Sequence, residues 1–128
     1  MARLTLRARG PADVATAWER YAQFGKWPSW SPQISSIDAS AERIAAGVTG
    51  TVAGPMWAAA DFEIDAVDED ARTWSWTVRR KPLTVRLEHG VEHDNGGSST
   101  WLTIDGPMPF VVPYAPIAQA ALRRLVAR

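Results

Sequence analysis

The sequence predicts an α+β fold: a strongly bent antiparallel sheet with one amphipathic helix laid across it. Three observations carry that expectation. Apolar residues recur at period two through most of residues 33–105, strand after strand. Helical spacing appears only towards the two ends of the chain. Helices and strands are therefore segregated, which argues against an alternating parallel βαβ sheet.

The elements follow in order. Leu4, Leu6 and Ala8 alternate with Arg3, Thr5, Arg7 and Arg9, a half-buried strand that Gly10-Pro11 breaks. Val14, Ala17, Trp18 and Tyr21 then recur at helical spacing. Pro11 suits a first turn and Asp13 its positive end, so residues 11–23 read as a helix that Gly25 ends. "KWPSWSP", residues 26–32, comes next. Its two prolines forbid a long helix or a central strand and leave room for one short helical turn.

"QISSIDA" is a weak strand, and "GVTGTVAG" a glycine-rich one with a bend or bulge expected at Gly50. "DFEIDAV" sets Phe62, Ile64 and Ala66 against Asp61, Glu63 and Asp65, so these three carboxylates face solvent and do not form a paired acid/base site. "RTWSWTVRR" puts Trp74, Trp76 and Val78 on one face. "LTVRLEHGVEH" puts Leu83, Val85, Leu87, His89 and Val91 inward, unless a bulge at Gly90 reverses the facing. "DNGG" is a hairpin turn before "SSTWLTIDG", where Trp101 falls outside, a candidate dimer contact. "PMPFVVPYAP" reads as a proline-broken connector, and the chain closes with a helix of about 15 residues bearing Ile117, Ala121, Leu122 and Leu125.

Composition bounds the function. Residues 1–128 amount to one domain, and folding at this size buries about two-thirds of the unfolded surface. Fourteen basic and fourteen acidic residues balance, so charge gives no reason to expect nucleic acid or an anionic membrane as partner. The absence of cysteine removes disulfides, thiolate catalysis and Cys-type zinc sites, and fits a cytoplasmic location. "MARLTLRARG" has no apolar stretch of a signal peptide, and no apolar run is long enough for membrane insertion. No metal or cofactor is expected. His89 and His93 on one strand stand about 13 Å apart, too far for one zinc.

A concave sheet crossed by a single helix about 10 Å wide leaves unfilled space, so a hollow is expected. Seven tryptophans are available to surround it. Trp27 and Trp30 either rim its entrance or plug one end as core. Trp57, Phe62, Trp76 and Leu87 are candidate walls. His89, among apolar neighbours, must find a partner or stay neutral. It is either a core histidine or an acid/base or carbonyl-orienting group. Tyr114 offers a phenol where the last connector enters the helix. No Ser-His-Asp, HExxH, P-loop or GxGxxG pattern is present.

The run from Gly10-Pro11-Ala12-Asp13-Val14 through Trp18 to "FGKWPSWSP" resembles the opening of the START-like, Bet v 1-like (SRPBCC) superfamily, in its polyketide cyclase/dehydrase branch. Gly47 with Gly50, Trp74-x-Trp76, Leu87-x-His89 and the stretch from Gly106 to Pro116 match the same branch, so the resemblance covers nearly the whole chain. It implies a helix-grip fold, with two short helices after the first strand and a sheet wrapped around a C-terminal helix. The expected last helix is shorter than the family's, which implies a smaller or more open cavity.

The resemblance also implies binding of a hydrophobic small molecule. Polyketide cyclisation or aromatisation without a covalent nucleophile is the leading specific expectation, with His89 and Tyr114 as its polar groups. A non-catalytic carrier or sensor of lipid-like molecules is the alternative, and a monomer or homodimer is expected. Fold alone does not choose among these.

Overall fold

Period-two alternation becomes one antiparallel sheet. A computed structural model describes residues 2–54 and 57–128, with the backbone alone for Trp57 and Ala58. The order is β1 (Ala2–Gly10), α1 (Val14–Ala22), a 3-10 turn (Phe24–Lys26), α2 (Trp27–Trp30), β2 (Ser36–Ala39), β3 (Thr49–Gly54), β4 (Trp57–Asp68), β5 (Thr73–Arg80), β6 (Leu83–Asp94), β7 (Gly97–Gly106) and α3 (Met108–Leu125). Among the described residues these strands form a seven-stranded sheet, β1-β7-β6-β5-β4-β3-β2. The β6–β7 hairpin turns at Asn95 and Gly96, with φ of 44° and 82°, the pair of positive values that an Asn-Gly turn supplies.

The concave face carries Trp74, Trp76, Val85, Leu87, His89, Val91, Leu102 and Ile104, all buried beneath the helices. His89 faces inward because β6 runs in unbroken register there, His89 opposite Leu102, Gly90 opposite Trp101 and Val91 opposite Thr100. Gly90 is no bulge. It makes room on the convex face, where a Cβ would lie 2.4 Å from Trp101 Nε1. On that face Asp61 and Glu63 are exposed, and Asp65 accepts from Thr77 Oγ1 at 2.6 Å.

Three boundaries differ from expectation. Helix α1 begins at Val14, because Asp13 stands outside it as N-cap and accepts from the Thr16 N–H at 2.7 Å. The irregularity in β3 lies between Val52 and Gly54, away from Gly50. Gly50 answers a different need: a Cβ there would sit 2.2 Å from the Asp38 carbonyl oxygen and 2.8 Å from the Phe62 ring.

The third difference is the largest. Helix α3 starts at Met108 and runs for 18 residues through Pro113 and Pro116. Each proline removes one helical N–H. Burial of Val111, Tyr114, Ala118, Ala121, Leu122 and Leu125 along one stripe offsets that loss and holds the helix on the sheet.

A charged node fixes α1 against two loops. Arg43, between β2 and β3, donates to both Glu19 oxygens at 2.8 and 3.0 Å and to Glu69 at 2.8 and 3.1 Å. Trp18 Nε1 adds a bond to Glu69 at 2.7 Å. The Arg43 hydrogen bonds hold the Glu19 carboxyl at about 2, below its ordinary 4.5. A depressed carboxyl stabilises the fold above its unfolded value, and that contribution is lost as pH falls from about 5 towards 2. Both side chains are more than a third exposed, so water screens the pair. Glu19→Gln is expected to flatten the acid side of the stability curve by less than about 1 kcal/mol, read from urea midpoints between pH 7 and 3.

Candidate functional site

The "WPSW" turn answers the question its composition raises. Helix α2 points both indoles inward, and α1 supplies their polar partners. Trp27 Nε1 donates to the Tyr21 carbonyl and Trp30 Nε1 to the Arg20 carbonyl, each at 2.8 Å. These carbonyls lie in the last turn of α1 and have no helical donor of their own. The prolines keep the turn short, and the indole N–H groups cap the preceding helix.

Once inside, Trp27 is the hub of an aromatic cluster. Its ring centroid lies 5.0 Å from Phe24, 5.5 Å from Trp74, 5.0 Å from Trp76, 6.1 Å from Phe62 and 6.3 Å from Trp30. The hollow expected under the helix is therefore largely filled, because these rings interlock across the concavity. What remains is a narrow cavity of ≈ 20 Å³, counted as space open to the centre of a water molecule.

That cavity brings together Trp27, Trp30, Trp76, Leu87, His89 and Tyr114. Ile34, Leu102, Ala118, Ala121 and Leu122 add to its apolar wall. Phe62 sits one layer behind, against Trp27 and Trp76. Trp57 opens β4, and its side chain lies outside the described residues. Sequence reasoning missed Ser31 and Gln33, which flank Pro32 and line the cavity from the α2–β2 connection. A wider groove of ≈ 230 Å³, lined by Asp68, Arg86 and Glu88 together with Val67, Trp74, His89 and Trp101, is open to solvent and mixes charged and apolar side chains.

His89 is held from two sides. It stacks on Trp74 with centroids 4.5 Å apart and planes 9° from parallel, and meets the Tyr21 ring edge at 5.0 Å. Trp76 Nε1 donates to His89 Nε2 at 3.2 Å. Nε2 thus presents its lone pair, and the neutral ring carries its proton on Nδ1. That Nδ1 is buried with no hydrogen-bond partner among the described residues. Burial pushes the imidazole down to about 3, so it stays uncharged across the physiological range.

The sign of the linkage follows. The unfolded chain takes up this proton first, so stability falls as pH drops from about 6.5 towards 3. Imidazole ¹⁵N spectra are expected to show a single Nδ1–H tautomer, unchanged from pH 7 down to about 4. Protonation near 6.5 would place the ring in water instead.

Tyr114 anchors the other wall. Its oxygen accepts from Gln33 Nε2 at 2.7 Å, tying the α2–β2 connection to α3. Burial pushes the phenol up to about 12, so it remains protonated. Ser31 Oγ and Gln33 Oε1 are buried and have no hydrogen-bond partner among the described residues. Tyr21 lies deeper, its hydroxyl 2.6 Å from Thr100 Oγ1, which donates to the Gly90 carbonyl at 2.8 Å.

Among the described residues, no group of three or more His, Asp or Glu side chains is placed to hold a metal ion. No helix among them is long and apolar enough to cross a membrane.

Known structures share this architecture. Ara h 8.0201 superposes with a TM-score of 0.76 at 17% identity, over 97% of this chain and 94% of its own. XoxI from Bacillus cereus gives 0.82 at 15% identity, over 98% and 94%. An uncharacterised protein from Bacillus thuringiensis gives 0.80 at 14% identity, over 98% and 96%. At these identities the likeness establishes the helix-grip fold. No curated protein matches in sequence. A family model described as polyketide cyclase / dehydrase and lipid transport matches residues 1–128. With its sheet closed around α3 and its motifs in order from Gly10 to Pro116, the chain belongs to that polyketide cyclase/dehydrase and lipid transport family, within the START-like, Bet v 1-like superfamily.

Proposed function

We propose that this protein binds a hydrophobic small molecule, ring-containing or acyl, in the cavity between α3 and the concave sheet. The observation that carries the reading is the wall itself: three indoles, three leucines and a phenol converge on one enclosed space that also holds polar atoms. The space open in the free protein admits about one water, whereas small-molecule sites typically measure about 300–1,000 Å³. Binding therefore moves a wall. The first turns of α3 are the segment built to yield, since Pro113 and Pro116 remove helical bonds there and Met108 and Val112 stand exposed.

The finer proposal is cyclisation or aromatisation of a polyketide. His89 orients and polarises a carbonyl through Nδ1–H, Tyr114 assists as a second polar group, and the indoles shape the chain for an aldol closure. The non-catalytic carrier reading draws on the narrowness of the cavity and the low basicity of His89.

Native mass spectrometry of the purified protein with extracted ligands tests binding. The His89→Ala variant, assayed on a linear poly-β-keto thioester, then separates the readings. Catalysis predicts a drop in turnover of at least about 100-fold. Retained ligand with unchanged turnover would remove His89 from the chemistry.

A further inference from the structure

Among the described residues, four buried side-chain polar atoms have no hydrogen-bond partner, and three of them, Ser31 Oγ, Gln33 Oε1 and His89 Nδ1, belong to residues that border the same cavity. Each is more than nine-tenths buried. Their chemistry is mixed. His89 Nδ1–H is a donor, fixed as such by the Trp76 N–H on the other nitrogen. Gln33 Oε1 is an acceptor, fixed by the amide's other end donating to Tyr114. Ser31 Oγ can be either.

Among the described residues, no Asp, Glu, Lys or Arg lines the space. A buried charge entering it would lose its hydration and meet no counter-ion, a penalty that neutral hydrogen bonds do not repay. A purely apolar occupant would leave three polar groups dry, which is also unfavourable.

We propose, building on the cavity-binding reading above, that the site takes an uncharged molecule whose buried end carries a carbonyl-type acceptor beside a hydroxyl or N–H donor. His89 Nδ1–H meets the acceptor, Gln33 Oε1 receives the donor, and Ser31 serves whichever is left. The class is that of neutral hydroxyketones and amides on an apolar skeleton. Free fatty acids, phosphates and amines are excluded.

Three probes on one phenyl ring test this: 2-hydroxy-1-phenylethanone, ethylbenzene and benzoate, titrated at pH 7 into the full chain and read by the indole ¹⁵N–H signals. The hydroxyketone is expected to bind at least tenfold more tightly than either of the others. Gln33→Met and Ser31→Ala are expected to erase that advantage while leaving ethylbenzene binding within about twofold, the change expected when a polar contact alone is lost. His89→Phe, which keeps a ring on Trp74, is a third variant.

Ethylbenzene binding as tightly as the hydroxyketone would overturn the proposal and leave the cavity reading intact. So would benzoate matching the hydroxyketone, or a preference that survives Gln33→Met and Ser31→Ala together. If none of the three probes perturbs the cavity indoles, both readings fall.

Discussion

Replacing Trp27 by alanine is expected to destabilise the protein by about 3–5 kcal/mol, a large part of the 5–15 kcal/mol that holds a typical domain together. Trp27 is fully buried and, among the described residues, meets five other aromatic rings. Its removal takes away the hub of the cluster and leaves a void that rigid indoles cannot collapse into. It also leaves the Tyr21 carbonyl without its donor at the end of α1. Trp27→Phe keeps a ring but not that bond, and is expected to lose about 1–3 kcal/mol. Trp101→Ala on the convex face is the control, expected below about 1 kcal/mol. Urea unfolding followed by far-UV circular dichroism measures all three. A loss under about 1.5 kcal/mol for Trp27→Ala would mean the turn is peripheral to the core.

The second large effect joins stability to binding. Leu122 is buried on α3 and borders the cavity. Leu122→Ala is expected to cost about 2–5 kcal/mol, because the helix stripe is pinned at Ala118, Ala121 and Leu125 and cannot close the gap. The same change enlarges the site. An apolar space left by Leu→Ala stays dry and accepts a small ring. Ethylbenzene is therefore expected to bind the variant more tightly than the parent and to restore stability, by about 2.7 kcal/mol at one hundred times its dissociation constant. Melting curves with and without ethylbenzene show this directly. A variant as unstable as expected but indifferent to ethylbenzene would place Leu122 away from any ligand space.

Much of the fold was legible in the residues. The strands showed where one face is buried and the other is not, and alternation records that asymmetry directly: Phe62 and Ile64 against Asp61 and Glu63, Leu87 and His89 against Arg86 and Glu88. The start of α3 was not legible. Pro113 and Pro116 read locally as breakers, and only burial of Val111 and Tyr114 against the rest of the fold overrides them. Local propensity carries no information about a tertiary surface.

The site divides the same way. Face assignment put His89 and Leu87 inward, but period two fixes direction and says nothing of volume. How far the indoles of Trp27, Trp74 and Trp76 interlock depends on distances across three elements. The tautomer of His89 depends on Trp76, thirteen residues away on the neighbouring strand. Ser31 and Gln33 were the hardest to find. Polar residues beside prolines ordinarily mark a surface loop, and no local pattern records that this one turns inward.

The claim at the centre is that small apolar molecules enter beneath α3, among the indoles of the "WPSW" turn and β5. Indole ¹⁵N–H spectra of the full chain, titrated with ethylbenzene, test it most directly. Signals of Trp27, Trp30 and Trp76 should move together and saturate, while those of Trp18, bonded to Glu69, and Trp101, on the convex face, stay still. Movement confined to Trp101 or Trp18, or no movement up to the solubility limit, would contradict the account.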